Sequence, residues 1–136
     1  MNLLIDADIL LDVFQKRDPF YHASALIWKL CETGMAKGFV SALSVADLVY
    51  IMRKELDREA ILETISRLNL IFHFVELTPV DLIRAAELRW ADYEDAIQSV
   101  TAERLHADYI ISRNIKHFRG SRVLALTPDE YLAREG

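Results

Sequence analysis

Asn2-Leu3-Leu4-Ile5-Asp6, followed at once by Ala7-Asp8-Ile9-Leu10-Leu11-Asp12-Val13-Phe14, is the stretch that sets the architecture. The first part is a short apolar run closed by an acid and reads as a buried strand over residues 2–6. The second carries Ile9, Leu10, Val13 and Phe14 at helical spacing, so a helix is expected over 7–15. A buried strand that feeds a helix is the building unit of a parallel α/β sheet, where ligands bind outside the carboxyl ends of the strands. Asp6 would stand on that rim. An aspartate there also suits an N-cap; the two roles are compatible, and a functional one is favoured. Asp8 could be the cap instead, or a partner that orients Asp6.

The same alternation continues along the chain. Asp18-Pro19 reads as an N-cap with proline at the first helical position, opening an apolar helix through Ala25, Leu26, Ile27, Trp28, Leu30 and Cys31 that stops near Gly34. A strand is expected over 37–41, helices over 44–55 and 57–69, and a strand over 71–75, which is rich in aromatic and β-branched residues. Thr78-Pro79-Val80-Asp81 and Thr127-Pro128-Asp129-Glu130 repeat one device, a threonine cap, proline at N1 and an acid at N3. They should open helices over 79–90 and 128–134. A helix over 92–106 would turn Tyr93, Ala96, Ile97, Val100 and Leu105 inward. Strands over 108–112 and 122–126 complete a central, mainly parallel sheet of about five short strands flanked by helices, in one domain over 1–136.

Composition narrows the class. A chain of 136 residues can bury about two-thirds of its unfolded surface. Its 52% hydrophobic and 27% charged residues describe a compact protein, not a disordered one. The single cysteine, Cys31, excludes a disulfide framework, so a reducing cytoplasm is the expected location. No apolar run approaches the roughly 20 residues of a membrane span, and no secretory leader is expected, because the first residues carry an early acid and no basic cluster. The net charge of −5 argues weakly against bulk nucleic-acid binding, since local distribution matters more than the sum.

Further acids and amides recur where the expected strands and helices meet. Asp47 lies in Ser44-Val45-Ala46-Asp47, spaced as an N-cap with its N3 residue; taken alone, capping is the better reading. Asp95 lies in the first turn of its helix, where free N–H groups favour a carboxylate, but Asp92 and Asp95 are also spaced as a capping pair. Ser112-Arg113-Asn114 follows an apolar strand and could hold water or a phosphate, or merely shape a turn. Carboxylates without cysteine or histidine partners suit a hard cation such as Mg²⁺ or Mn²⁺.

Together these segments resemble the PIN-domain nuclease family, in particular its small bacterial and archaeal members, which include VapC-type toxins. The matching stretches are Leu4–Asp12, Ser41–Asp47, Asp92–Gln98 and Ala107–Asn114 with Phe118, in the family's order. The resemblance implies that Asp6, Asp47 and Asp95 are metal ligands, and that Ser112 and Asn114 orient water or the scissile phosphate. It implies Mg²⁺- or Mn²⁺-dependent hydrolysis of RNA phosphodiesters, a small antitoxin as partner, and a homodimer. The chain departs from the family pattern at four places, the first being Asp8, which stands where asparagine is common. Asp47 stands where glutamate is usual, Asn114 brings no charge, and His117 replaces an aspartate common before Phe118.

Arg113, Lys116, His117, Arg119 and Arg122 form a basic stretch beside Asn114, of which Arg113 and Lys116 are the candidates for holding a substrate phosphate. His22, His73 and His106 have no ligand spacing, and Trp28, Tyr50, Trp90 and Tyr93 read as core or interface residues. The departures motivate an alternative, a catalytically weakened PIN-like module that binds RNA or a protein. Asp6-Ala7-Asp8 also echoes haloacid-dehalogenase-type phosphatases, but the threonine or valine and the lysine motif expected there are missing.

Overall fold

The computed structural model describes residues Met1 to Glu135. Its frame is a five-stranded sheet in the order β3-β2-β1-β4-β5, with every neighbouring pair parallel. The strands are β1 (Asn2–Ile5), β2 (Lys37–Ser41), β3 (His73–Val75), β4 (Tyr109–Ile111) and β5 (Ala125–Leu126). Between and after them run α1 (Ala7–Phe14), α2 (Tyr21–Glu32), α3 (Ala42–Ile51), α4 (Arg58–Ile71), α5 (Pro79–Leu88), α6 (Tyr93–Arg104) and α7 (Pro128–Glu135). The expected α/β class and parallel sheet are therefore present. From β1 the chain lays its next strands to one side and β4 and β5 to the other. The carboxyl ends of β1 and β4 thus flank the point where strand order reverses, the usual crevice for a ligand.

Strand alternation divides the core between the two faces of the sheet. Leu3 and Ile5 join Ile111, Leu126, Ile9, Leu10, Ile27, Leu48 and Leu68 in one cluster, to which α1, α2, α3, α4 and α7 contribute. Leu4 and Ile110 face the other way, against Ala102 and Phe118. Leu3, Leu4 and Ile5 are all 0% exposed, so each side chain contributes about 1.5–3 kcal/mol by leaving water. Gly38 is required on β2 because a Cβ there would lie 2.7 Å from both Cys31 Sγ and the Phe72 ring. Burial pushes the Cys31 thiol up to about 12, making it a packing residue and not a reactive one.

Both threonine–proline devices operate. Thr78 and Asp81 form a reciprocal capping box, and Thr127 and Glu130 exchange the equivalent bonds at 2.9 and 3.2 Å. Asp81 is 1% exposed and grips Arg104 through two oxygens, at 3.0 and 2.8 Å, which clamps α5 to α6. Burial alone would raise the Asp81 carboxyl, but the Arg104 and Thr78 hydrogen bonds outweigh it and hold the group below its usual value.

Other expectations require correction. The second helix begins at Tyr21, behind Phe20 and without a side-chain cap, so Asp18 does not cap it. Residues 18–20 form a turn that places the Phe20 ring 4.2 Å from the Arg113 guanidinium carbon. The helix after β2 begins at Ala42, because the Ser41 hydroxyl accepts from Ser44 N; Ser44 and Asp47 are not its capping pair. Tyr93 is 44% exposed, its hydroxyl donating to Leu82 O at 2.8 Å, and is not part of the inner face of α6. That helix is instead buried from Ala96 to Ala102, polar residues included. Among the described residues no helix is long and apolar enough to cross a membrane.

Candidate active site

Strand register brings the first pair of candidate residues together. Ile5 lies opposite Ile111, and Asp6 N donates to Ile111 O at 3.0 Å. The next residues, Asp6 and Ser112, therefore meet, and Ser112 Oγ donates to Asp6 Oδ2 at 2.8 Å. Asp6 Oδ1 accepts from Ala7 N at 2.9 Å, so the residue caps α1 while facing the crevice. It also accepts from Gln98 Nε2 at 3.4 Å, and that amide donates to Ser44 Oγ at 3.1 Å. Ser44 in turn accepts from Ser41 Oγ at 3.1 Å. A continuous polar chain thus ties β1 to α6 and α3. Burial raises the Asp6 carboxyl against the pull of its Ser112, Ala7 and Gln98 donors.

The cleft around this chain has a volume of about 240 Å³ and is also lined by Asp8, Asp47, Glu94, Asp95 and Asn114. Glu94 faces Asp47; burial first, then the Asp47 carboxyl, pushes it up to about 7. Asp92 Oδ1 accepts from Asp95 N at 3.1 Å, so Asp92 is indeed the cap of α6. Asp95 Oδ2 lies 2.8 Å from His117 Nδ1. Burial pushes Asp95 up to about 6, while His117 pulls it down. Ligand atoms of Asp92, Asp95 and His117 lie within 4.8 Å of one another. Asp6, Asp47 and Asp95 share the cleft, but they do not form so close a group. A larger apolar groove of about 630 Å³, between α3, α4 and β3, offers Glu76 as its one charged wall, which leaves the acidic cleft as the candidate site.

Asp8 does not touch Asp6 by a hydrogen bond. Its Oδ2 accepts from Arg113 N at 3.1 Å and from Ser112 Oγ at 3.4 Å, and its Oδ1 is buried without a partner. Burial and then the Asp6 charge push its carboxyl up to about 7. Ser112 is 0% exposed, with its hydroxyl also accepting from Asn114 N at 3.1 Å; it therefore acts on Asp6 and its own loop. Asn114 is exposed at the cleft wall. Arg113 turns away from the cleft. Its Nε lies 3.0 Å from Oδ2 of the wholly buried Asp12, off the hydrogen-bond axis, as an ion pair. Ser24 Oγ donates to the same oxygen at 3.0 Å. Lys116 lies outside the cleft, in an adjoining pocket.

The donor set suits a hard divalent cation. Oxygen ligands dominate, several carboxyls are held high by desolvation and one another, and the 3%-exposed Gln98 has a buried, unpartnered Oε1. Gln98, Glu94 and His117 were not identified as site residues from sequence. Two of them carry a local signal: Gln98 lies one helical turn beyond Asp95, where an α-helix points residues to one side, and His117 stands where the family pattern has an aspartate.

Solved structures of other proteins share this fold. A toxin–antitoxin complex from Klebsiella pneumoniae superposes with a TM-score of 0.72 at 22% identity, covering 93% of this chain and 97% of that one. VapBC-1 from nontypeable Haemophilus influenzae gives 0.71 at 15% identity, over 95% and 99% of the two chains. VapC20 from Mycobacterium tuberculosis, a sarcin–ricin-loop-cleaving toxin, gives 0.64 at 11% identity, over 79% and 86%. No curated protein sequence matches the chain. The family profile described as PIN domain matches residues 2–116, which takes in every acid of the cleft, and the chain belongs to the PIN-domain family.

Proposed function

We propose that this protein is a divalent-metal-dependent ribonuclease and the toxin of a toxin–antitoxin pair. The observation that carries the reading is Asp6, fixed by Ser112 and Gln98 at the strand-order reversal and facing a cleft crowded with further carboxyls. The residues proposed to hold Mg²⁺ or Mn²⁺ are Asp6, Asp47 and Asp95, with Glu94 beside Asp47 offsetting its shorter side chain. Bound there, the cation would supply Lewis-acid polarisation of a phosphoryl oxygen and neutralise developing charge.

The remaining work falls to the chain itself. Ser112 and Gln98 hold the Asp6 carboxylate in one orientation, so little reorganisation is needed when substrate arrives. Asn114, exposed on the rim, orients water or the scissile phosphate through its amide. Lys116 is assigned to substrate phosphate. Arg113 is assigned to holding the Ser112–Asn114 loop, since its side chain is engaged with Asp12. Hydrolysis joins a water oxygen to phosphorus and breaks one phosphate–ribose ester bond.

A small antitoxin and a second copy of the chain are the proposed partners, in the cytoplasm. The likeness to toxin–antitoxin complexes supports the first of these. The deciding assay is cleavage of labelled single-stranded RNA with Mn²⁺, Mg²⁺ or EDTA. Asp6→Asn and Asp95→Asn should each abolish metal-dependent cleavage while the protein stays folded; activity surviving in both would remove the assignment.

A further inference from the structure

A second pocket opens beside the acidic cleft and shares Asp92 and His117 with it. Its volume is about 480 Å³, and its other walls include Trp90, Lys116, Arg119 and Gly120. Among the described residues, neither Lys116 nor Arg119 forms an ion pair, although the chain carries a net charge of −5. Arg104, Arg113 and Arg122 are by contrast all matched to carboxylates. Unmatched cations next to a carboxylate cleft are suited to an anion delivered to both places at once.

Trp90 gives the pocket a second property. Its indole is half-buried and meets Phe118 edge to face, with ring centroids 6.2 Å apart and planes at 82°. Gly120 lies close against the indole, because a Cβ there would come within 3.3 Å of Trp90 Nε1. The ring is therefore held in place before any ligand arrives, and it borders a cavity lined by two free cations. A fixed aromatic face with adjacent positive charge is the arrangement that binds single-stranded nucleic acid, by stacking a base and pairing its phosphate.

We infer that this pocket is a nucleotide subsite, in which Trp90 stacks a base flanking the scissile bond of single-stranded RNA and Lys116 and Arg119 hold that nucleotide's phosphate. The inference rests on the proposed ribonuclease reading and extends it by placing the strand. His117 and Asp92 mark the passage from the subsite to the carboxylates. No hydrogen-bonding edge of a base is specified by these residues, so the subsite favours single strands without selecting a sequence.

The test is fluorescence anisotropy of a short fluorescein-labelled single-stranded RNA with the intact protein in EDTA, read as affinity against salt. Lys116→Ala/Arg119→Ala should bind about tenfold more weakly. Loss of that phosphate contact should also flatten the slope of log affinity against log salt by about 0.7. Trp90→Leu keeps an apolar filler beside Phe118 but removes the π face, and should lose about tenfold in affinity at unchanged slope. Trp90→Phe should stay near wild type, which separates stacking from folding. Unchanged slope in the double variant, unchanged affinity in Trp90→Leu, or no saturable binding by wild type would each overturn the subsite. Cleavage with Mg²⁺ is scored separately. Cleavage by wild type together with variant-insensitive binding removes the subsite and leaves the ribonuclease. Variant-sensitive binding without cleavage does the reverse.

Discussion

His117 Nδ1 lies 2.8 Å from Asp95 Oδ2, although the histidine belongs to the 3₁₀ turn Ile115–Phe118 and the acid to the first turn of α6. Burial pushes the Asp95 carboxyl up to about 6, and the histidine works against that shift. A carboxylate must be ionised to hold a cation. His117→Ala should therefore move the pH at which Mn²⁺ affinity is half lost to a higher value. Affinity above about pH 8, where the carboxyl is ionised in either protein, should change little. Calorimetric Mn²⁺ titrations between about pH 5 and 8 measure the midpoint. A loss of equal size at every pH would instead make His117 a ligand.

Gln98 is the least replaceable neutral residue of the cleft, because one amide serves Asp6 and Ser44 together. Gln98→Leu should lower the cleavage rate about tenfold, the scale expected when a residue orienting a ligand is removed. Stability should hold within about 1 kcal/mol, because the substitution also removes a buried oxygen that has no partner. Urea denaturation beside single-turnover cleavage separates the two effects. A parallel fall in both would make Gln98 a packing residue only.

Arg113→Ala gives the opposite pattern. Asp12 is 0% exposed, and Arg113 supplies its positive partner. Removing one member of a buried ion pair leaves the other uncompensated and costs about 3 kcal/mol. The salt dependence of RNA binding should stay as in wild type, because the side chain faces Asp12 and not the cleft. A flatter salt slope with unchanged stability would return Arg113 to the phosphate role that its sequence position suggests.

The parts of this site legible in the sequence are those fixed by local rules. Asp6 closes an apolar strand, and strand, cap and rim position all follow from that one segment. The threonine–proline devices open the two helices they should. Asp47 and Asp95 were harder, because cap spacing and site spacing look alike along a chain. What separates them is register. Ser41 takes the cap of α3, which leaves Asp47 free to face Glu94. The remaining features depend on contacts between distant elements. Gln98 reaches Ser44 across 54 positions, and His117 reaches Asp95 only because the turn after β4 folds back over α6. Arg113 shows the converse. Its neighbours in sequence are proposed site residues, while its side chain belongs to the Asp12 pair behind them.

The crowding of acids makes a final prediction about stability. Burial and mutual repulsion raise Asp6, push Asp8 and Glu94 up to about 7, and push Asp95 up to about 6. For an acid raised on folding, the folded state binds its proton more tightly than the unfolded chain does. Its stabilising contribution is complete below about pH 4 and is lost as pH rises through the folded value, here about 6 to 7. In EDTA, the cleft should therefore contribute a fall in Tm between about pH 5 and pH 8. Asp95→Asn should reduce that fall and melt higher than wild type at the upper end, at the expense of the proposed activity. Mn²⁺ should raise Tm more at about pH 8 than at about pH 5, because only ionised carboxylates bind it. Thermal melts of both proteins across that range, with EDTA or Mn²⁺, measure all three effects. A Tm in EDTA that rises with pH equally in wild type and Asp95→Asn would show that repulsion in the cleft does not govern stability.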